Sequence, residues 1–178
     1  MKKIAVLVLA ALTAACGFSP LYVEKNTEGK WYFGEGYDSS ITNEMSKIKI
    51  ESIGERFGQQ LRNDLIDILT PKGTPEDPKY KLYVELKDKV VELQALRRDI
   101  TATRERVRYT VVYYMTENGE ELFKADSVAY VSYDILANPY STTMAQKKSE
   151  SDVAKIVAND ISLRIGAYFH SKLTKGDE

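Results

Sequence analysis

The sequence predicts an α/β (α+β) fold, a two-layer sandwich in which a mixed four-stranded sheet carries two helices on one face. Four segments alternate apolar and polar residues with the period of a half-buried strand. Two longer segments repeat apolar residues at helical spacing. Asn118-Gly119 is a strong signal for a tight hairpin between the last two strands. The predicted order of elements is β-α-β-β-β-α, and a crossover helix after the first strand favours a parallel first pair.

The first fifteen residues, 1–15, have the pattern of a lipoprotein signal peptide that is removed from the mature chain. Lys2 and Lys3 precede an unbroken apolar run over residues 4–12, which small residues follow up to Cys16. As a helix, this run would cover roughly 13 Å, less than half of the roughly 30 Å hydrocarbon core of a bilayer. A permanent transmembrane helix is therefore the weaker interpretation.

The single cysteine marks the expected start of the mature chain. Residues 12–16, Leu-Thr-Ala-Ala-Cys, are similar to a bacterial lipoprotein processing site, after which Cys16 would be acylated and become the first residue. The alternative is an ordinary signal cleavage that leaves an unpaired thiol near the new terminus. Several acyl chains would hold the protein on a membrane without any further anchoring feature.

Residues 16–45 are predicted to form an irregular tether, because glycines, prolines and aromatics occur there without a sustained period. A single domain is expected over residues 46–174, and a short polar tail over residues 175–178. A mature chain of this length can bury a self-sufficient core without a metal or a disulfide.

The domain begins with a strand and a helix. Ile48 and Ile50 alternate with charged residues in the first strand, which Gly54 ends. The pattern of residues 55–70 predicts an amphipathic helix that Pro71 stops. Its apolar stripe consists of Phe57, Leu61, Leu65, Ile68 and Leu69.

Three further strands and a second helix complete the fold. The second strand begins at Tyr80, and its alternation changes parity near Asp88, which predicts a β-bulge. The third strand includes residues 107–115, and the fourth covers residues 121–135. After a loop through Asn138-Pro139, a second helical stripe is formed by Val153, Ala154, Val157, Ala158, Ile161, Ile165, Tyr168 and Phe169.

Composition excludes several classes of function. The 178 residues include 25 basic and 26 acidic side chains, and a net charge of -1 argues against nucleic acid as the partner. One cysteine and one histidine exclude the common zinc sites and a cysteine-histidine nucleophile pair. His170 lies in no catalytic motif, and no phosphate-binding glycine motif occurs. We therefore expect no catalytic residue, no metal and no cofactor.

One cluster of basic residues stands out at the connection between the second and third strands. It contains Arg97, Arg98, Arg104, Arg106 and Arg108, and arginine offers a planar fork that suits phosphate groups. If the second and fourth strands run in one direction and the third runs back, this connection meets the loop that carries Lys147 and Lys148. The alternative is a solvated, charged strand edge that discourages aggregation.

Several of these segments, in this order, resemble the lipopolysaccharide-assembly lipoprotein LptE family. They are Cys16-Gly17-Phe18-Ser19-Pro20-Leu21-Tyr22, Gln60-Leu61-Arg62-Asn63-Asp64-Leu65, the arginine-containing third strand and Asn138-Pro139 before a long last helix. The resemblance implies an outer-membrane lipoprotein, lipid-anchored on the periplasmic side, that sits inside the LptD β-barrel translocon. It also implies contact with lipopolysaccharide through positions similar to Arg97, Arg98 and Lys147, with Arg104 and Lys148 as neighbouring candidates.

The leading hypothesis is thus a non-enzymatic assembly factor whose partners are lipopolysaccharide, an LptD-like barrel and, through acylated Cys16, the membrane. A second hypothesis is a periplasmic lipoprotein that carries a lipid or another ligand without a barrel partner. That function would require a sizeable apolar cavity between sheet and helices. A third, a secreted hydrolase, lacks any supporting motif.

Overall fold

A computed structural model of the chain describes residues 23–25, 31–33, 39–96 and 102–175. The chain divides into two compact units, Met1–Asp38 and Ser39–Glu178. In the first unit, strand β1 (Val23–Lys25) pairs antiparallel with strand β2 (Trp31–Phe33). The sequence predicts no regular element here, because strands this short do not reveal a period.

The second unit has the predicted order of elements, preceded by one additional helix. Its elements are α1 (Ser39–Met45), β3 (Ile48–Ile50), α2 (Glu55–Leu69), β4 (Tyr80–Leu96), β5 (Ala102–Glu117), β6 (Glu120–Asp134) and α3 (Pro139–Lys175). From β3 onward the order is β-α-β-β-β-α, which confirms the sequence-based prediction.

The four strands form one mixed sheet in the order β3-β4-β5-β6. β3 runs parallel to β4, and the two following pairs are antiparallel. Asn118 and Gly119 have φ angles of 52° and 91°, the left-handed values that a tight hairpin turn requires at both central positions. Both the parallel first pair and the hairpin are therefore as the sequence predicts.

The predicted bulge in β4 is confirmed as a shift of register between Leu86 and Asp88. Before it, Leu86 lies opposite Val111; after it, Lys89 lies opposite Tyr109. Even-numbered residues of β4 therefore face the helices before the bulge, and odd-numbered residues face them afterwards.

The core lies between one face of the sheet and the two helices. Odd-numbered residues of β5 from Val107 to Met115 are at most 2% exposed. The apolar stripes of both helices are buried as predicted, except that Ile68 and Tyr168 are only partly buried. Phe57 of α2 stacks on Tyr109 with ring centroids 4.8 Å apart, so α2 rests directly on the central strand. Among the described residues of the second unit, no helix lies on the opposite side of the sheet, which is called the helix-free face.

α3 is much longer than its apolar stripe, since it starts at Pro139 and has 37 residues. The Asn138 side-chain oxygen accepts a hydrogen bond from the Tyr140 N–H at 2.9 Å, and proline suits the first helical position. Polar residues dominate the first third of the helix, so hydrophobic spacing alone could not locate its start.

α1 is absent from the sequence-based prediction, which treats this segment as irregular. Its Ile41 and Met45 are each 2% exposed, so the helix contributes to the core. Glu44 accepts a hydrogen bond from the Tyr80 hydroxyl at 2.8 Å and pairs with Lys47 and Lys79. Burial alone would raise the pKa of Glu44, but these partners outweigh it and lower the pKa.

We expect Leu61→Asp to unfold the second unit. Leu61 is 1% exposed in the centre of α2, and an unpaired buried charge costs about 3–5 kcal/mol, a large part of the roughly 5–15 kcal/mol that stabilises a typical domain. Circular dichroism and thermal melting measure the loss. Gln59→Asp, which adds the same charge at an exposed position of the same helix, should melt like the parent chain. A cooperative melt of Leu61→Asp at an unchanged temperature would contradict the placement of this helix.

Candidate functional site

The candidate site lies where β4 passes to β5 and β6 passes to α3, an end of the sheet called here the distal end (residues 96–104 and 134–148). Leu96 pairs with Ala102, and Arg104 pairs with Asp134. Both connections therefore emerge at the same end, as the sequence predicts. Arg97 and Arg98 belong to the first connection, residues 97–101, and lie outside the described residues.

Arg104, Arg106 and Arg108 form a row on the helix-free face of β5, called here the arginine row. They alternate with Glu105 and Val107, whose side chains point to the helices, because successive residues of a strand face opposite sides. Neighbouring members of the row are about 7 Å apart along the strand. Regular strand geometry thus places three guanidinium groups on one exposed surface.

Each arginine of the row has a partner on an adjacent strand. Arg104 Nε lies 2.9 Å from Asp134 Oδ1, and Arg108 Nη2 lies 3.3 Å from Asp88 Oδ2. Arg106 stacks over the ring of Tyr130, with its guanidinium carbon 4.5 Å from the ring centroid. Both ion pairs are exposed to solvent, where such pairs contribute about 0.2–1 kcal/mol. Another anion can therefore replace the carboxylates of Asp134 and Asp88 at a low cost in free energy.

The expectation that a loop carries Lys147 and Lys148 is wrong, because α3 already begins at Pro139. Both lysines occupy the exposed surface of this helix, on the other side of the sheet from the arginine row. Lys148 pairs with Asp152 one helical turn later, at 2.7 Å. Among the described residues no carboxylate forms an ion pair with Lys147. The structure therefore brings these lysines to the distal end but does not place them on the same face as Arg104.

A second polar cluster, which the sequence does not reveal, lies between sheet and α3 close to the distal end. Lys89 Nζ is 2.8 Å from Glu150 and 5.3 Å from the centre of the Tyr109 ring. Burial opposes the charge on Lys89, but the hydrogen bond to Glu150 outweighs it and raises the pKa of the amine. The Tyr133 hydroxyl donates a hydrogen bond to Glu105. Burial and this hydrogen bond both raise the pKa of Tyr133. The bulge supplies the only sequence signal for this cluster, because it turns Lys89 towards the helices.

Exposed apolar side chains also concentrate near the distal end. On β4 beyond the bulge, Val91 is 51% exposed and Leu93 is 63% exposed, although both face the helix side of the sheet. Tyr140, in the first turn of α3, is 70% exposed. Leu136 and Met144 are exposed nearby. Cationic and apolar surface therefore both occur near the distal end, the two properties of a site for an anionic amphiphile; Val91 and Leu93 share the helix side with Lys147 and Lys148, and the arginine row lies on the opposite face.

No group of three or more His, Cys, Asp or Glu side chains in the described ranges could hold a metal ion. A shallow groove on the sheet is lined by Lys87, Thr110, Val112, Lys124, Ala125 and Asp126. Within the same part of the chain, no helix is both long and apolar enough to cross a bilayer.

Comparison with known families identifies the fold. The model of the LptE family, described as lipopolysaccharide-assembly, matches residues 45–165, which is more than half of the chain. The chain belongs to the LptE family. The resemblance noted in the sequence is thereby confirmed, and the matched segment includes the arginine row, Lys147 and Lys148. Cys16 precedes the matched segment and lies outside the described residues.

Solved structures show the same fold. A lipoprotein from Caulobacter crescentus is 24% identical with a TM-score of 0.61, and the match covers 72% of this chain and 94% of that protein. Rare lipoprotein B from Shewanella oneidensis is 11% identical with a TM-score of 0.53, and the match covers 74% and 98% respectively. A minor lipoprotein from Acinetobacter baumannii is 18% identical with a TM-score of 0.52, over 68% and 90%. No curated protein matches this chain.

Proposed function

We propose that this LptE family protein is a non-enzymatic lipoprotein of the outer membrane that binds lipopolysaccharide and plugs and scaffolds an LptD-like β-barrel. Its anchor is acylated Cys16 on the periplasmic side, after removal of residues 1–15. Family membership supports the general role, since the family is described by lipopolysaccharide assembly. The structural relatives from three bacteria are themselves described as lipoproteins, which supports the anchor.

The observation that carries the lipopolysaccharide proposal is the amphipathic surface of the distal end. The arginine row offers charge-assisted hydrogen bonds to phosphate groups, which arginine binds in a planar, two-pronged manner. Tyr130, which is 50% exposed and stacks with Arg106 on the same face, offers apolar surface beside the row, whereas Val91 and Leu93 offer it on the helix side of the sheet. Arg97 and Arg98 are two further cations in the connection that joins β4 to β5.

The mixture of positive and negative side chains supports the proposal that the protein lies in the lumen of a β-barrel. The chain from residue 16 onward has mixed positive and negative side chains on its surface, and the lumen of a membrane barrel is polar. The long antiparallel sheet also leaves strand edges that require protection, which the interior of a barrel would provide.

The packing of the core argues against the rival hypothesis of a ligand carrier. Such a carrier would hold its ligand between sheet and helices, but this layer is filled by large side chains that are at most 2% exposed. They include Tyr80, Tyr109, Tyr113, Phe169, Leu61, Leu65 and Ile161.

We expect Cys16→Ala to abolish membrane attachment while the domain stays folded, because all acylation depends on that thiol. Fractionation of cells that lack the barrel partner measures attachment, and circular dichroism of the purified protein measures folding. Ser19→Ala, a substitution three residues further on that keeps the thiol, should remain in the membrane fraction. Quantitative recovery of Cys16→Ala with membranes, with its signal peptide cleaved, would show that the anchor lies elsewhere.

Arg97→Glu combined with Arg98→Glu should weaken binding of lipopolysaccharide at least about tenfold at low salt, because each lost contact is a charge-assisted hydrogen bond. The difference should shrink at high salt, where exposed charges are screened. Lys72→Glu with Lys81→Glu makes the same change of net charge at exposed positions away from the distal end, and should bind like the parent chain. Equal affinities of the two double variants for lipopolysaccharide would indicate that Arg97 and Arg98 serve only as a solvated, charged strand edge.

Photocrosslinking side chains at Thr101, in the connection between β4 and β5, and at Thr143, in the first turns of α3, should attach to an outer-membrane barrel or to lipopolysaccharide in living cells. Thr74, in the loop between α2 and β4, is the comparison position and should yield no lipopolysaccharide adduct. Mass spectrometry identifies the adducts. Adducts only with soluble carriers or inner-membrane proteins, and no barrel after gentle extraction, would favour the carrier hypothesis instead.

A further inference from the structure

Arg106, the middle member of the arginine row, differs from its two neighbours in how its hydrogen-bond donors are used. Arg104 and Arg108 each direct a guanidinium nitrogen at a carboxylate. Within the described ranges of the chain, the Arg106 side chain forms neither an ion pair nor a hydrogen bond. Its guanidinium carbon lies instead 4.5 Å from the centre of the Tyr130 ring. Arg106 therefore differs from the rest of the row in that no described carboxylate engages its donors.

Stacking on an aromatic ring leaves the donors of Arg106 usable. A guanidinium binds a ring through its flat face, whereas its five N–H groups point outward in the plane of the group. The Tyr130 ring is 50% exposed, so the stacked pair lies at the surface of the helix-free face. The ring also restricts the rotamers of Arg106, which lowers the entropy that is lost when a ligand binds. Arg106 is thus held in place by a group that does not compete with an anion.

The register between β5 and β6 brings the ring to this position. Arg106 lies directly opposite Ser132, whose side chain is exposed. Tyr130 lies opposite Arg108 and is therefore a diagonal neighbour of Arg106 on the same face, within reach of a long side chain. The Ser132 hydroxyl adds one further donor beside the stacked pair. One guanidinium, one ring and one hydroxyl thus share a small area of the helix-free face.

One carboxylate faces Arg106 from the neighbouring strand on the other side. Glu92 of β4 lies opposite Arg106, and its side chain is exposed on the same face. Among the described residues, Glu92 forms no ion pair with Arg106 or with another cation. Its negative charge nevertheless repels any second anion that approaches Arg106. Glu92 and Tyr130 therefore act on an anion at this surface in opposite directions.

We propose that Arg106 is the residue of the row that first binds a phosphate group of lipopolysaccharide, that Tyr130 positions it, and that Glu92 limits the affinity. This inference rests on the proposed function and names the contact within it. The phosphate accepts two parallel N–H bonds from the stacked guanidinium, the geometry in which arginine binds phosphate most strongly. The two neighbouring arginines bind afterwards, because each must first release its carboxylate.

The first test replaces arginine by lysine at one position of the row at a time. Binding of purified lipopolysaccharide to the chain from residue 16 onward, with Cys16→Ser, is measured at low salt. Arg106→Lys keeps the charge but loses the two-pronged bond, so we expect the affinity to fall at least about tenfold. Arg104→Lys makes the same exchange at a position that is paired with Asp134, and should lower the affinity by about threefold or less. Equal losses in the two variants would overturn the special role of Arg106.

Variants of Tyr130 test whether the ring acts through Arg106. Tyr130→Phe keeps the ring and should bind lipopolysaccharide like the parent chain. Tyr130→Leu keeps apolar bulk without the ring, and should lower the affinity about fivefold while circular dichroism stays unchanged. Combined with Arg106→Lys, it should lower the affinity no further than Arg106→Lys alone, because both changes remove one interaction. Additive losses would overturn the positioning role of Tyr130.

Glu92→Gln should raise the affinity for lipopolysaccharide about threefold at low salt, and less at high salt, because the repulsion that it removes is screened by salt. Glu85→Gln is the matched control. It makes the same change on the same face of β4, opposite Val112 and remote from Arg106, and should bind like the parent chain. An unchanged affinity of Glu92→Gln, or an equal rise in both variants, would overturn the role of Glu92.

A phosphate group can come from a lipid or from a free ion, and two further probes distinguish these sources. Lipopolysaccharide without its phosphates should bind the parent chain and Arg106→Lys equally, and a remaining difference would overturn the assignment to phosphate. Inorganic phosphate at about 1 mM should displace little lipopolysaccharide, because it lacks acyl chains and binds weakly. Complete displacement at that concentration would assign the contact to the free ion instead.

The same titrations separate this inference from the proposed function. A parent chain that does not bind lipopolysaccharide at all would contradict both. A parent chain that binds it, together with Arg106→Lys that binds it equally well, would contradict this inference alone.

Discussion

The alternation of side chains along β5 is the constraint on which the rest of the molecule depends. Its odd-numbered residues from Val107 to Met115 pack under both helices, and its even-numbered residues carry the arginine row on the helix-free face. A slip of one residue would bury the arginines and expose the core, so burial of the aromatic and aliphatic side chains fixes the position of the cations. Core and candidate site are thus two faces of one strand.

The bulge in β4 matters because β4 is much longer than β3, the strand that runs parallel to it. β4 has 17 residues and β3 has three, so most of β4 lies beyond its parallel neighbour. Beyond the bulge, Lys89 turns towards α3 and reaches Glu150, while Val91 and Leu93 face the helix side at positions that remain largely exposed. The polar cluster and the apolar surface of the distal end therefore follow from one shift of register.

Much of the fold could be predicted because local patterns agree with the tertiary structure. The stripe around Leu61, the parity change near Asp88 and the positive φ angles at Asn118-Gly119 each follow from short-range chemistry. α1 and the first third of α3 could not be predicted, since their stability depends on remote partners such as Tyr80 for Glu44. For the candidate site, the sequence predicted which strand ends come together at the distal end. The partners of the arginines, Asp134, Tyr130 and Asp88, required the register between strands.

These partners do not prevent the arginine row from binding an anionic ligand. An exposed ion pair contributes about 0.2–1 kcal/mol, whereas a hydrogen bond between charged groups in a less hydrated contact contributes about 1.5–3 kcal/mol. A phosphate that approaches together with acyl chains would meet the row beside Tyr130, whose half-exposed ring on the same face reduces the water around the contact. Exchange of Asp134 or Asp88 for the phosphate would then be favourable. In the absence of a phosphate, Asp134 and Asp88 pair with Arg104 and Arg108 and Tyr130 stacks with Arg106, so under the proposed function the row would be ordered before a ligand binds.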